Sequence, residues 1–102
     1  MDAMHKGCSF EKTLKVIGSR WTMNILHLLM GGPSRFGQLQ KTLSPISPKT
    51  LSVRLKELEK QGIVNKKIYP EIPPKVEYTL TAKGLSLQKI FVDMSKWGAE
   101  SA

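Results

Sequence analysis

The chain has 102 residues, of which 40% are hydrophobic, and its formal net charge is +8. This length suits one domain with one hydrophobic core and leaves no room for a second, catalytic domain. The charge favours a polyanionic partner such as nucleic acid, although lysines scattered over the surface would give the same total. The position of the charges is more informative, because residues 47–75 carry seven basic and three acidic side chains, half of the whole excess.

Cysteine content and hydropathy predict a cytoplasmic protein without a membrane anchor. Cys8 is the only cysteine, which excludes an intrachain disulfide and favours a reducing compartment. No apolar run approaches the roughly 20 residues that span a bilayer, and residues 1–7, expected to be a flexible tail, lack the core of a signal peptide. His5 and His27 have no thiol or carboxylate at ligand spacing, so we predict no metal and no cofactor. No nucleophile motif or glycine-rich phosphate loop indicates an enzyme.

Two helices are predicted before residue 31. In Ser9–Ile17 the apolar residues Phe10, Leu14 and Ile17 recur at spacings of four and three, as in an amphipathic helix. From Trp21 to Met30 apolar residues cover two sides, so we expect this helix to be central and mostly buried. Gly31-Gly32-Pro33 should end it, because glycine supplies a left-handed cap and proline cannot continue the hydrogen-bond ladder.

A short strand, a short helix and a turn are predicted next. The strand is expected within Ser34–Phe36, and the helix from Phe36 or Gly37 to Leu43, where Leu39 and Leu43 would be buried. Ser44-Pro45-Ile46 then forms a compact turn.

The following helix is predicted from Ser47 to Gln61. Ser47 followed by Pro48 is a strong start signal, because serine accepts a bond from a free N–H group and proline fits the first helical position. Gly62 supplies the C-terminal cap. An apolar stripe runs along one side of this helix and consists of Leu51, Leu55 and Leu58.

A hairpin and a last helix complete the chain. Residues 63–69 and 75–80 are rich in β-branched and aromatic side chains that alternate with polar ones, as in paired strands. Residues 70–74 include three prolines and should form a stiff, exposed tip. Thr81 can cap a helix from Ala82 to Trp97, which Gly98 ends.

This order of elements predicts a mainly α fold with a small β-hairpin wing, the winged helix-turn-helix, as a single domain over residues 1–102. Such a fold presents its second paired helix to the major groove. With the leucine stripe facing inward, the outward residues are Lys49, Ser52, Val53 and Lys56, flanked by Thr50 and Arg54. These residue types suit base and phosphate contacts, and Ser47 at the cap joins them. A merely solvated helix face has a similar composition.

The predicted wing is also basic. Lys66, Lys67 and Lys75 flank its tip and would neutralise phosphates, although lysines on an edge strand commonly serve to prevent aggregation. Arg35 and Lys41, before and within the third helix, are further candidates for backbone contacts or ordinary surface residues.

Several motifs resemble the HxlR-type branch of the bacterial MarR-like regulators, in the same order along Cys8 to Trp97. They are Ile17-Gly18-Ser19-Arg20-Trp21-Thr22, Gly32-Pro33-Ser34-Arg35-Phe36-Gly37-Gln38-Leu39, Ile46-Ser47-Pro48-Lys49-Thr50-Leu51, Arg54-Leu55-Lys56-Glu57-Leu58-Glu59 and Pro73-Pro74-Lys75-Val76-Glu77-Tyr78-Thr79-Leu80-Thr81. The proline-rich tip followed by Val-Glu-Tyr is the most distinctive. The resemblance implies a homodimer that binds a palindromic operator in double-stranded DNA, with recognition helices about 34 Å apart.

The resemblance also places the dimer interface on the first helix and on residues 82–98. The candidate interface residues are Phe10, Leu14, Leu87, Ile90, Phe91, Met94 and Trp97. Ordinary packing within one chain is the alternative for the C-terminal members of this set.

Cys8 occupies the place, before the first helix, where many proteins of that family carry a cysteine that in some senses electrophiles or oxidants. The positive potential of a helix N-terminus and the nearby Lys6 and Lys12 favour a thiolate there. Ser9 departs from the proline that often follows in the family, and a lone cysteine is also a common small buried residue. The identity of any effector stays open.

A rival function has a different partner. A winged helix without operator specificity would use its basic face for RNA or its apolar helix for another protein.

Overall fold

The computed structural model describes residues 9–101, so Cys8, His5 and the predicted tail lie outside the described residues. The elements are α1 (Ser9–Ile17), α2 (Arg20–Met30), β1 (Ser34–Arg35), α3 (Phe36–Thr42), α4 (Pro48–Lys60), β2 (Val64–Tyr69), β3 (Lys75–Leu80), α5 (Ala82–Leu85) and α6 (Gln88–Ser101). This is the predicted mainly α arrangement with a small sheet. None of the helices in residues 9–101 has the length and hydropathy to cross a membrane.

Helices α2 and α4 provide the centre of the core. Ile25 and Leu26 of α2 and Leu51 of α4 have no exposed surface at all, and the other core residues pack around them. The predicted central place of α2 is therefore confirmed. The helix ends at Met30, before the glycines, as predicted; Gly31 is right-handed at φ −81°, and Gly32 has the positive φ, 130°.

Strand β3 is the middle strand of an antiparallel sheet with the order β1-β3-β2. The sequence predicts the β2–β3 hairpin, and β1 adds a third strand by pairing Ser34 with Tyr78. Tyr78 is buried in the core. Burial, and then the nearby carboxylate of Glu59, raise the pKa of the Tyr78 hydroxyl above its usual value of 10.0. The hydroxyl therefore stays neutral throughout the physiological pH range.

Helix α1 covers the core with only one end. Ile17 is buried, whereas Phe10 and Leu14, on the same predicted apolar stripe, are 52% and 45% exposed. Most of the stripe therefore faces away from the core of this chain.

The predicted helix 82–98 is wrong in two respects. It is two helices, because α5 ends at Leu85 and α6 begins at Gln88. Gly84 and Ser86, both poor helix formers, lie beside the break, and Leu87 packs against the core there. Gly98 does not end α6, which continues to Ser101, since an interior glycine weakens a helix by only about 1 kcal/mol.

A set of hydrogen bonds, here called the α4–α5 junction, joins the end of α4 to the start of α5. The Thr81 hydroxyl lies 2.6 Å and 3.1 Å from the carbonyl oxygens of Gly62 and Ile63, to which it donates, and it accepts from the N–H of Gly84 (3.1 Å). The ammonium group of Lys83 donates to the carbonyl of Gln61 (2.9 Å). At Gly84 the two segments approach so closely that a Cβ would collide with the carbonyl oxygen of Ile63.

We predict that Gly84→Ala lowers the free energy of unfolding by about 1–3 kcal/mol, the usual cost of overpacking. The matched control is Gly37→Ala in α3, where an added Cβ meets nothing within 4 Å. That variant should be unchanged or slightly more stable, because alanine favours a helix over glycine. Urea unfolding followed by circular dichroism measures both. Equal stabilities of the two variants would contradict the close approach at Gly84.

Candidate nucleic-acid interface

Helix α4 is capped at both ends by its own sequence. The N–H of Thr50 donates to Ser47 Oγ (3.1 Å), and Pro48 occupies the first turn, as predicted. At the other end, the N–H of Ile63 donates to the carbonyl of Leu58 (2.9 Å) around Gly62, which has φ +74°. This 6→1 bond is that of a Schellman motif. The length and the direction of α4 are therefore determined locally.

The core holds α4 by one face and leaves the opposite face in solvent. Leu51, Leu55 and Leu58 are buried, which confirms the predicted stripe. Of the predicted outward residues, Lys49, Val53 and Lys56 are exposed and Ser52 is half-buried; of the flanking pair, Thr50 and Arg54 are half-buried. Lys49, Val53 and Lys56 are thus exposed on α4, as are Glu57 and Lys60.

Arg54 is less free than the sequence suggests. Its guanidinium Nη1 lies 3.5 Å from the Glu57 carboxylate one turn further along α4. Its Nε is buried, and within residues 9–101 it has no hydrogen-bond partner. Part of the positive charge of Arg54 is therefore offset by Glu57.

Arg35 lies where β1 meets α3. Its backbone N–H donates to Gln38 Oε1 (2.8 Å), which starts α3, and its side chain is exposed. Arg35 is also the cross-strand partner of Glu77 in β3. The start of the helix-turn-helix is thereby attached to the wing strand. Lys41, the other minor candidate, is exposed on α3.

The two adjacent lysines of β2 point to opposite faces of the sheet. Lys66 pairs with Tyr78 and Lys67 with Glu77, and neighbours along a strand alternate between faces. Both are exposed. In the sequence they read as one basic pair, but in the structure they lie on opposite faces of the sheet and have different neighbours.

Lys67, Tyr69, Lys75 and Glu77 share one face of the hairpin and are here called the wing quartet. The ammonium groups of Lys67 and Lys75 lie 4.9 Å and 4.8 Å from the centroid of the Tyr69 ring. The Tyr69 hydroxyl donates to Glu77 Oε1 (3.2 Å), and Lys75 Nζ lies 3.7 Å from Glu77 Oε2. Sequence reasoning missed Tyr69 and Glu77, although the cross-strand register would have revealed them.

A second set of exposed side chains is apolar and lies on α1 and α6. Of the predicted interface residues, those with more than two fifths of their surface exposed are Phe10, Leu14, Ile90, Met94 and Trp97. Phe91 is instead buried in the core, and Leu87 is partly buried against it. Leu85 and Val92, absent from the predicted set, are also exposed. Residues Met23, Asn24 and His27 of α2 line a groove beside these side chains with a volume of about 310 Å³.

Comparison with known proteins found similar transcriptional regulators. A model of the HxlR-like helix-turn-helix family matches residues 16–102. The HTH-type transcriptional regulator YodB of Bacillus subtilis (strain 168) is 47% identical over 87 residues, which cover 85% of this chain and 78% of YodB.

Solved structures resemble the whole described chain. The reduced form of YodB has a TM-score of 0.84 at 44% identity and covers 93% of this chain and 94% of that one; diamide-treated and quinone-bound forms of YodB also match. The oxidised redox regulator HypR has a TM-score of 0.85 at 37% identity, covering 93% and 98%. A MarR-family chain from Porphyromonas gingivalis W83 has a TM-score of 0.87 at 34% identity, covering 96% of each. The predicted winged helix-turn-helix fold is thereby confirmed.

We predict that Ser47→Ala lowers the free energy of unfolding by about 1 kcal/mol, because the N–H of Thr50 loses its acceptor. Ser47→Gly should cost only a few tenths of that, since glycine is well tolerated at an N-cap. Thermal unfolding should separate the two, with the alanine variant melting roughly 4–8 °C lower than the wild type. If the two variants melt together, the cap does not hold α4.

Proposed function

The chain belongs to the HxlR-like helix-turn-helix family, whose relatives are HTH-type transcriptional regulators, and we propose that it binds a palindromic operator in double-stranded DNA as a homodimer. One observation carries the proposal: the exposed face of α4 presents Lys49, Val53 and Lys56 beside a basic wing. We place this activity in the bacterial cytoplasm, where duplex DNA is accessible.

In this proposal, α4 enters the major groove. Lysine donates to guanine edges, a hydroxyl donates or accepts, and an apolar valine side chain suits the methyl group of thymine. Val53 is 45% exposed, and Lys49 and Lys56 are exposed beside it on the outward face of α4. Ser47, Thr50, Ser52 and Arg54 border the same face and would add contacts to bases or to adjacent phosphates.

The wing would contact the DNA backbone. Lys66, Lys67 and Lys75 lie on a hairpin that packs against α4 through β2. These lysines keep a fixed position relative to α4, because the hydrogen bonds of the α4–α5 junction hold the end of α4 against the hairpin. Arg35, on the neighbouring strand β1, extends the positive charge toward the start of α3.

The apolar surface of α1 and α6 would form the dimer interface. Phe10, Leu14, Met94 and Trp97 expose large side chains on two helices that each contribute only one buried residue to the core. A surface of this kind favours a protein partner. A second copy is the simplest partner, because it gives the two-fold symmetry that a palindromic operator requires.

Cys8 is the proposed sensing residue. It immediately precedes α1 in the sequence. The regulators YodB and HypR, both similar to this chain, have solved structures in chemically distinct states, with YodB in reduced, diamide-treated and quinone-bound forms. A change at Cys8 would act directly on the proposed dimer interface through α1.

Selection of bound sequences from random duplexes tests the main proposal. We expect a palindromic consensus with half-sites one duplex turn apart, about 34 Å. Binding should weaken steeply with salt, because each neutralised phosphate releases counterions. Retention of RNA with no preference for any duplex would instead establish the rival function, an RNA-binding winged helix.

Variants of the two proposed contact regions should behave differently. Lys49→Ala or Lys56→Ala should cost about 1–3 kcal/mol on the selected operator and relax its specificity. Lys66→Ala or Lys67→Ala should weaken all duplexes similarly and lower the salt slope by about 1. Titrations of operator and random duplex by fluorescence anisotropy measure both effects. Equal affinities of all four variants would show that another face contacts DNA.

Treatment with diamide or a quinone should change the operator affinity of the wild type, and Cys8→Ser should abolish the response. The serine variant keeps the size and polarity of the side chain but cannot form a disulfide or a thiol adduct. Affinity before and after treatment, followed by reduction with dithiothreitol, provides the measurement. A Cys8→Ser variant that responds like the wild type would exclude this residue as the sensor.

A further inference from the structure

We propose that Tyr69 and Glu77 are positioning residues, which hold the ammonium groups of Lys67 and Lys75 together as a two-charge contact for the DNA backbone. This inference rests on the proposed function and specifies how the wing performs it. It gives a role to Glu77 and Tyr69, because a DNA-binding hairpin needs neither a carboxylate nor a tyrosine to contact phosphates.

The register of the hairpin brings the four side chains into one block. Lys67 and Glu77 are cross-strand partners, as are Tyr69 and Lys75, so all four lie on the same face of the sheet. The ring of Tyr69 lies within 4.9 Å of both ammonium groups. The two charges are therefore no more than about 10 Å apart, close enough to contact neighbouring phosphates of one DNA strand.

The contacts in the wing quartet hold the lysine side chains without neutralising both of their charges. The negative face of an aromatic ring attracts an ammonium group without neutralising its charge. Glu77 uses one carboxylate oxygen to fix the Tyr69 hydroxyl and the other to pair with Lys75. Tyr69 is thus anchored at its hydroxyl, and its ring can order two lysines that would otherwise sample many rotamers.

A lysine loses much conformational freedom when it binds a phosphate, and this loss weakens binding. Restricting its rotamers in the free protein reduces the loss and so strengthens binding. The wing quartet removes part of that freedom before DNA arrives. The two ammonium groups can still reach phosphates, since Lys67 is exposed and Lys75 is half-buried. Glu77 lowers the net charge by one, but on this strand row it lies between two cations, Arg35 and Lys67.

Lys66 provides a matched control. It is exposed, like Lys67, and adjacent in sequence, but it lies on the opposite face of the sheet, across from Tyr78. A general weakening of the hairpin would affect both lysines. Positioning by the Tyr69 ring would affect only Lys67 and Lys75.

Double-mutant cycles with a random duplex test the proposal. Tyr69→Leu should lower affinity roughly threefold to tenfold, and Lys67→Ala or Lys75→Ala should then cost clearly less in that background than in the wild type. The cycle with Lys66→Ala should be additive. Tyr69→Phe keeps the ring and should retain most of the coupling, so it also serves if the leucine variant unfolds.

Two glutamates of the wing separate positioning from charge. Glu71→Gln and Glu77→Gln remove the same charge, but Glu71, at the exposed tip, has no side-chain bond to the wing quartet. Glu71→Gln should raise affinity for random duplex, because a repulsive charge is lost. Glu77→Gln should raise it less or lower it, because the quartet loosens.

The free protein offers an independent reading by NMR. The ε-methylene protons of Lys67 and Lys75 should show upfield ring-current shifts that disappear in Tyr69→Leu. Additive cycles for all three lysines, or equal gains in the two glutamine variants, would overturn the positioning role while leaving DNA binding intact. A wild-type protein that binds no duplex would overturn the proposed function and this inference together.

Discussion

The hydrogen bonds of Thr81 to the backbone of Gly62 and Ile63 are the constraint on which the rest of the arrangement depends. They link the last turn of α4, the first residue pair of the hairpin and the start of α5 at one point. The N–H of Thr81 donates to the same Ile63 carbonyl (3.0 Å). Because the N–H groups of Gly62 and Ile63 complete the cap of α4, the helix and the wing are joined through the same two residues. Gly84 packs so closely against Ile63 that no side chain fits between them.

The exposed apolar side chains of the first and last helices distinguish them from the core helices. Phe10 and Leu14 of α1 and Ile90, Met94 and Trp97 of α6 are exposed. The difference follows from the core: α4 and α2 fill it with complete stripes, but α1 contributes only Ile17 as a buried residue and α6 only Phe91. A small chain buries a smaller share of its surface than a large one, and the exposed stripes fit the proposed dimer interface.

Features determined by nearby residues could be predicted from the sequence. The limits of α4 depend on Ser47, Pro48 and Gly62, which act through bonds within a few residues, and its buried face follows from the spacing of its leucines. The strands of the hairpin were also predictable, because alternation and the proline-rich tip mark them.

Features determined by contacts across the chain were not predictable. The break between α5 and α6 lies close to Gly84, which packs tightly against Ile63, twenty-one residues earlier, and no periodicity records that contact. Glu77 reads as one of several surface charges until the register places it beside Lys67 and Tyr69. The difference between the two adjacent lysines of β2 likewise requires knowledge of which face meets the core.

Different residues of α4 stabilise the helix and form its exposed face. Caps and leucines secure the helix, whereas Lys49, Val53 and Lys56 take no part in the core. Substitution at these three positions therefore changes the surface of the helix at little cost in folding stability. In the proposed function, a few such changes would give a new target sequence while the scaffold stays folded.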